Sequence, residues 1–422
     1  MGKRSAWTAL KNIPEAGKQE LEEIANMRKN RMAAAMIAAA VMMGMTGCKN
    51  QTAATETTKE TVTEAAVKET ETTAQEAGAA AAEGKTRIVK DTWGREVEIP
   101  DEVDSIVCLG SGAPRIAVYL DAEDKMAGIE EHDAGGVNIL RDYSPILRDE
   151  TRQLPLVGAG GGSGANNGYA EAIIMAAPDV ILAGFSQEAA EELENQTGIP
   201  VVCVRYTSKG LANESFYSAM RVFAEVVEKE ERCEELLTYI DQCKEDLNSR
   251  TAEIPEEEKP TAYAGAVTFS GRHGFTGTYS KFGPFDAVNA KNVADVDTED
   301  GYYEADLEQI LTWDPDMIFL DPGNMDLVSD EISGNPEYFK TVRAVKEENV
   351  YALPSFNNCG MNITYALMDA YYTGMILYPE QFEDLTMEDK SNEILTTFLG
   401  EDTFSQMREG GLIYGTLNEY FQ

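Results

Sequence analysis

Two segments of the chain follow one pattern, and that duplication constrains the fold more than any other feature. Glu171-Ala-Ile-Ile-Met-Ala-Ala-Pro178-Asp-Val-Ile-Leu182 and Glu308-Gln-Ile-Leu-Thr-Trp-Asp-Pro315-Asp-Met-Ile-Phe319 both run Glu-x-Ile-aliphatic, three residues, Pro-Asp, then an apolar stretch. In each the glutamate stands seven residues before the proline. A short helix that feeds through Pro-Asp into a buried parallel strand is half of an α/β unit. Two copies in one chain predict two similar lobes.

Between the copies lies a long helical pattern. Phe216, Met220, Phe223, Val227, Cys233, Leu237, Ile240, Cys243 and Leu247 recur at steps of three or four residues or their sums, which places them on one face. Asn213 can cap the start, and Pro255 with the glutamates after it marks the end. The spacing predicts a single helix over 213–249, long enough to cross a domain and act as a stiff strut.

The 422 residues accommodate two ordinary domains with a tail to spare. A formal charge of −39 repels nucleic acid and anionic lipid headgroups, so nucleic acid is not expected as a partner. None of the six cysteines forms a C-x2-C pair, and two of them fall on the helical stripe, so they are expected as small buried apolar residues.

The N-terminus carries an address. Met27-Arg-Lys-Asn-Arg31 is a basic region, 32–43 is apolar but too short to span a bilayer, and Met45-Thr-Gly-Cys48 follows. The block resembles a bacterial lipoprotein signal, which implies lipidation at Cys48 and a position outside the cytoplasm, anchored to the outer face of the cell membrane. Residues 1–47 are thus expected as an upstream extension and signal peptide. Residues 48–85, rich in Thr, Glu and Ala, are expected as a disordered tether reaching about 30–40 Å.

Alternating strand and helix signals then predict an N-terminal α/β lobe over 86–208, a connecting segment over 209–255, a C-terminal α/β lobe over 256–377 and a helical extension over 378–422. Expected strands include 105–109, 126–129, 180–182 and 201–205 in the first lobe, with 261–270, 317–320 and 350–353 in the second. Ligands of such sheets sit beyond the carboxyl ends of the strands. That rule places Ser111, Gly112, Arg115, His132, Phe185 and Tyr206 on one rim, and Arg272, His273, Tyr279, Tyr302, Tyr303, Phe356 and Asn357 on the other. The Gly158–Gly164 run lacks the Gly-Lys-Ser/Thr ending of a P-loop and is expected as a plain loop.

These features together resemble the substrate-binding proteins of ABC importers for iron–siderophore complexes, haem and vitamin B12. Asp91-Thr-Trp-Gly-Arg-Glu-Val-Glu-Ile-Pro100 is similar to that family's opening hairpin, Ser105-Ile-Val with Leu109-Gly-Ser to its first core strand and cleft loop, and the two Pro-Asp steps to its paired strands. The resemblance implies a class III periplasmic-binding-protein fold, in which two Rossmann-like lobes with mostly parallel sheets are joined by one long α-helix. It implies ligand between the lobes, permease and ATPase subunits as partners, a monomer, and no enzymatic activity. It also implies that Glu171 and Glu308 dock onto the permease, although a carboxylate in a first helical turn also suits the helix dipole.

For the ligand, the resemblance favours a ferric siderophore, with haem or a corrinoid as alternatives and no covalent cofactor. Arg115, Arg205 and Arg272 suit its anionic groups, and Tyr206, Tyr302, Tyr303 and Phe356 its aromatic faces. Free zinc or manganese is a weaker expectation, since His132 and His273 are the only histidines. An enzyme lacks a recognisable triad, zinc motif or P-loop. A surface adhesin would leave the paired glutamates without purpose.

Overall fold

The computed structural model describes residues 85–161, 166–295 and 301–422. Cys48, the signal segment and the tether up to residue 84 lie outside the described residues, as do positions 162–164 of the glycine run.

Strands β1 (Thr86–Lys90) and β2 (Glu96–Pro100) form the expected hairpin. Asp91 closes its turn by accepting from the backbone N–H groups of Trp93 and Arg95. Strands β3 (Ile106–Leu109), β4 (Met126–Glu130), β5 (Leu156–Gly158), β6 (Val180–Ala183) and β7 (Val201–Cys203) make a parallel sheet in the order β5-β4-β3-β6-β7. The second sheet joins β8 (Thr261–Gly265), β10 (Lys291–Asn292), β12 (Met317–Leu320), β13 (Val350–Ala352) and β14 (Gly415–Thr416) in the order β10-β8-β12-β13-β14. Only β14 runs antiparallel there. The tail expected as purely helical therefore supplies the second sheet with its edge strand. Strands β9 (Gly277–Ser280) and β11 (Gly301–Glu304) pair separately. The expected strand over 261–270 stops at Gly265, and the residues after it turn into the space between the lobes.

The helices that matter below are α1 (Ala113–Tyr119), α2 (Ala170–Ala176), α3 (Gln187–Thr197), α4 (Glu214–Val227), α5 (Glu230–Thr251), α6 (Leu307–Trp313), α7 (Met325–Gly334), α8 (Ile363–Leu377) and α9 (Met387–Leu399). The expectation of one helix over 213–249 needs correction. Asn213 caps α4 as anticipated, but Glu228 adopts a left-handed conformation (φ 60°, ψ 48°) and its N–H closes on the Ala224 carbonyl. The chain then reverses. Arg221 pairs with Glu234 at 2.7 Å, and the Tyr217 hydroxyl donates to Asp241 at 2.6 Å, so α4 and α5 lie antiparallel. The apolar stripe is shared by two helices that bury it against one core. The connecting rod is α5, which at 22 residues is roughly 33 Å long.

Strand alternation explains how two sheets make one body. In β3, Val107 and Leu109 face an outer core with Ile173, Leu193 and Val201, whereas Ile106 and Cys108 face inward. In the second sheet Ile318 and Leu320 face an outer core, and Phe319 faces inward. The inward sides of both sheets meet α4, α5, α8 and α9 in one continuous core. Phe398 of α9 packs edge-on against Tyr119 of the first lobe at 5.0 Å. Four of the cysteines (Cys108, Cys203, Cys233 and Cys243) are buried, as their spacing implied, and none of the described cysteines forms a disulfide.

Candidate functional site

Loops at the carboxyl ends of both sheets face one another across a cleft of about 840 Å³. Ser111, Gly184, Arg205, Tyr206 and Lys209 line it from the first lobe; Phe269, Arg272, Tyr279, Tyr302, Asp321 and Asn357 line it from the second. The first wall depends on glycine. Gly112 has φ +86°, and a Cβ there would lie 2.5 Å from the Tyr206 ring.

The floor is a seam between the lobes. Arg115, on α1, is fully buried and does not reach the cleft. Its Nε donates to Asp142 at 2.9 Å, and Nη1 to the Tyr206 hydroxyl at 3.1 Å and the Cys359 carbonyl at 3.0 Å. Nη2 donates to the Asn358 carbonyl at 2.9 Å and to Asn362 Oδ1 at 2.7 Å. All five guanidinium protons are thus used by protein, which corrects the expectation that Arg115 meets ligand. The Ser208 hydroxyl donates to Asn357 Oδ1 at 3.1 Å, so Asn357 serves both seam and cleft. His132 sits beside the seam with Nε2 3.3 Å from Cys359 Sγ, and is absent from the cleft lining.

The second wall is aromatic. Phe269 stacks on Tyr302 with centroids 5.3 Å apart and meets Tyr279 edge-on at 5.7 Å. Tyr302 and Tyr303 are neighbours on β11 and so point to opposite sides. Tyr303 turns away, donating to the Ala294 carbonyl at 2.8 Å and packing into the outer core, which removes it from the site. Phe356 does not line the main cleft; it packs against Phe282 at 5.7 Å in a small apolar pocket that shares Tyr279, Asp321 and Asn357 with it. Phe185 is likewise fully buried.

His273 supports this wall without lining it. Its Nε2 lies 2.9 Å from the Phe269 carbonyl and its Nδ1 3.0 Å from Glu304 and 2.6 Å from the Tyr302 hydroxyl. Burial would raise the Glu304 carboxyl, but hydrogen bonds from Tyr302, Thr276 and His273 hold it below its usual range. Imidazole, phenol and carboxylate here lock the Tyr302 ring in place.

The charges of the cleft oppose those of the chain. Arg272 is partly neutralised by an ion pair with Asp326, and its Nε donates to Asn324 at 2.9 Å. Arg205 stacks over the Trp93 ring at 5.4 Å, and Lys209 lies four residues on; among the described residues neither has a carboxylate partner. Asp321 is buried at the back of the cleft, and burial pushes its carboxyl up to about 6 despite hydrogen bonds from Thr268 and Gly323.

Of the ligand-facing expectations, Ser111, Arg205, Tyr206, Arg272, Tyr279, Tyr302 and Asn357 come together around one cavity. Phe269, Lys209 and Asp321 were missed. Ending the 261–270 strand at Gly265 would have found Phe269, because it would then lie beyond a carboxyl end.

Glu171 and Glu308 are exposed on matching helices. Each helix has seven residues and ends in a left-handed residue that is not glycine, Ala177 (φ 48°, ψ 52°) or Asp314 (φ 47°, ψ 58°). Each then passes through Pro-Asp into a central strand. A helix that enters a strand this tightly runs antiparallel to it, so both glutamates lie toward the carboxyl ends of their sheets, the cleft side.

Two α/β lobes with a solute-sized cleft between their carboxyl edges define a binding protein for a small solute. The periplasmic binding protein family matches residues 106–356, and the chain belongs to that family. It is a periplasmic solute-binding protein, works outside the cytoplasm, and is not an enzyme. The molybdate-binding protein MolA of Haemophilus influenzae is 24% identical over 335 residues, covering 74% of this chain and 90% of its own length. A periplasmic solute-binding protein from Veillonella parvula shares the fold with TM-score 0.61 at 20% identity, over 78% of this chain and 97% of its own. CeuE of Helicobacter pylori, solved as a Ni-His complex, does so with TM-score 0.56 at 16% identity, over 77% and 99%. Among the described residues no helix is long and apolar enough to cross a membrane.

Proposed function

We propose that the protein captures an anionic metal complex, a ferric siderophore of catecholate type, and delivers it to a membrane permease and its ATPase. The observation that carries this reading is the pairing of two walls. Arg205 and Lys209, which have no carboxylate partner among the described residues, stand on one side, and the Phe269, Tyr279 and Tyr302 rings on the other. Cations pair with catecholate oxygens, and rings pack on catechol faces. A volume of about 840 Å³ suits a ligand of that size. In a chain of charge −39 a local basic patch has a steering role.

A second reading is a tetrahedral oxyanion, favoured by the name of the Haemophilus relative. Such an ion would occupy a small part of the cleft and leave the aromatic wall idle. Haem or a corrinoid in the same cleft is less favoured, because His273 already has protein partners on both ring nitrogens.

Glu171 and Glu308 are assigned to permease docking, one acidic knob per lobe, and Cys48 to lipid anchoring of a monomer. The absorption spectrum and mass of the molecule that co-purifies test the ligand: a charge-transfer band with a catecholate mass supports it, and molybdenum without an organic mass overturns it. For docking, Glu171→Ala with Glu308→Ala should leave solute affinity intact and abolish uptake by the reconstituted transporter; normal uptake removes the assignment.

A further inference from the structure

The helices that carry Glu171 and Glu308 share a second feature. On α2 the residues three and four after Glu171 are Ile174 and Met175, 48% and 87% exposed. On α6 the residue three after Glu308 is Leu311, 37% exposed. At these spacings each aliphatic side chain lies on the same helix face as its glutamate. The core does not need them, since Ile173 and Ile310 already fill the inward position of their helices. One exposed aliphatic residue on a surface is ordinary. Exposure at the same offset from the same acidic residue, on two helices with matching left-handed C-terminal caps, is a repeated surface element.

We propose that each glutamate is half of a two-part contact, and that the carboxylate and the aliphatic side chain one turn on seat together in a socket of the permease. The inference rests on the docking assignment above and adds the chemistry of the partner surface. Each socket pairs a basic group with a shallow apolar depression. Charge complementarity supplies orientation and encounter rate, whereas desolvated aliphatic contact supplies residence time. The two knobs are unequal. Ile174 and Met175 give the first lobe the larger apolar share, and in the second Leu311 is followed by Thr312. The first lobe therefore makes the tighter contact.

The test uses the solute-loaded full chain and the permease–ATPase complex in nanodiscs, with docking affinity measured across a salt series. Ile174→Ser with Met175→Ser should weaken docking about tenfold, and Leu311→Ser about threefold, with solute affinity and melting temperature unchanged. Both should keep the parental salt dependence, whereas Glu171→Gln with Glu308→Gln should flatten it. If the serine variants dock like the parent while the glutamine variant is weakened, the two-part contact is wrong and the docking assignment stands. If the glutamine variant also docks like the parent, the docking assignment falls with it.

Discussion

Asp179 and Asp316 hold the same position in the two lobes. The Asp179 carboxylate accepts from the Ser105 backbone N–H at 2.8 Å and hydroxyl at 3.1 Å; that of Asp316 accepts from the Thr261 backbone N–H and hydroxyl, both at 2.7 Å. Ser105 immediately precedes β3, and Thr261 opens β8, so each aspartate ties its own central strand to the one beside it. The Pro-Asp step is thus a staple at the amino edge of the sheet, and the carboxyl edge is left open for ligand. Asp179→Ala and Asp316→Ala are each expected to cost about 1 kcal/mol, because they leave a half-buried N–H and hydroxyl without their acceptor. Their effects should add in the double variant, since the sites share no partners. Denaturant unfolding of the three variants measures this.

Arg115 is the most demanding side chain of the seam, with five donors committed and Asp142 as its ion partner at 2.9 Å, both side chains fully buried. Asp142 is further bound by the Tyr119 hydroxyl and by Thr364 at 2.7 Å, which ties the second-lobe helix α8 to the same cluster. Arg115→Met should lower stability by about 3–5 kcal/mol, because it strands a buried carboxylate. Chemical denaturation gives the value, and amide exchange should show the largest loss of protection in residues 356–362.

Asp321 is expected to make solute binding sensitive to pH. Its folded value of about 6 lies above that of an ordinary aspartate, so the folded state holds the proton more tightly. The stability associated with that proton is fully present below about pH 4 and is lost as pH rises through about 6. In the cleft the consequence is electrostatic: below pH 6 the carboxyl is neutral and no longer repels an anionic ligand. Affinity for a ferric catecholate that keeps its own charge should therefore rise from pH 7 to pH 5.5, and Asp321→Asn should remove the dependence. Calorimetric titration at the two values checks both.

The duplication was legible because a helix entering a strand needs its proline, aspartate and inward isoleucine at fixed offsets. The break between α4 and α5 was not, because Glu228 takes a left-handed conformation without glycine and no proline marks the turn. The trace it leaves is a six-residue step from Val227 to Cys233 in an otherwise tighter rhythm. Within the site, sequence identified the loops but not the direction of side chains. Tyr303 failed by strand parity, Phe356 by burial, and Arg115 because partners as distant in sequence as Asn358, Cys359 and Asn362 consume its donors. Arg205 was among the three arginines the sequence singled out, whereas Lys209 stands out only once the structure shows which cleft cations lack a carboxylate among the described residues.

The central claim is that the cleft holds an anionic chelate between the Arg205 and Lys209 cations and an aromatic wall. Calorimetric titration of the ligand-free protein with a ferric catecholate, sodium molybdate, haem, cyanocobalamin and zinc chloride tests it most directly, with Arg205→Ala/Lys209→Ala measured alongside. The predicted result is a dissociation constant at or below about 1 μM for the ferric catecholate alone, weakened about a hundredfold in the double variant. Tight binding of molybdate with no response to the catecholate, or a double variant that binds the catecholate like the parent, would contradict it.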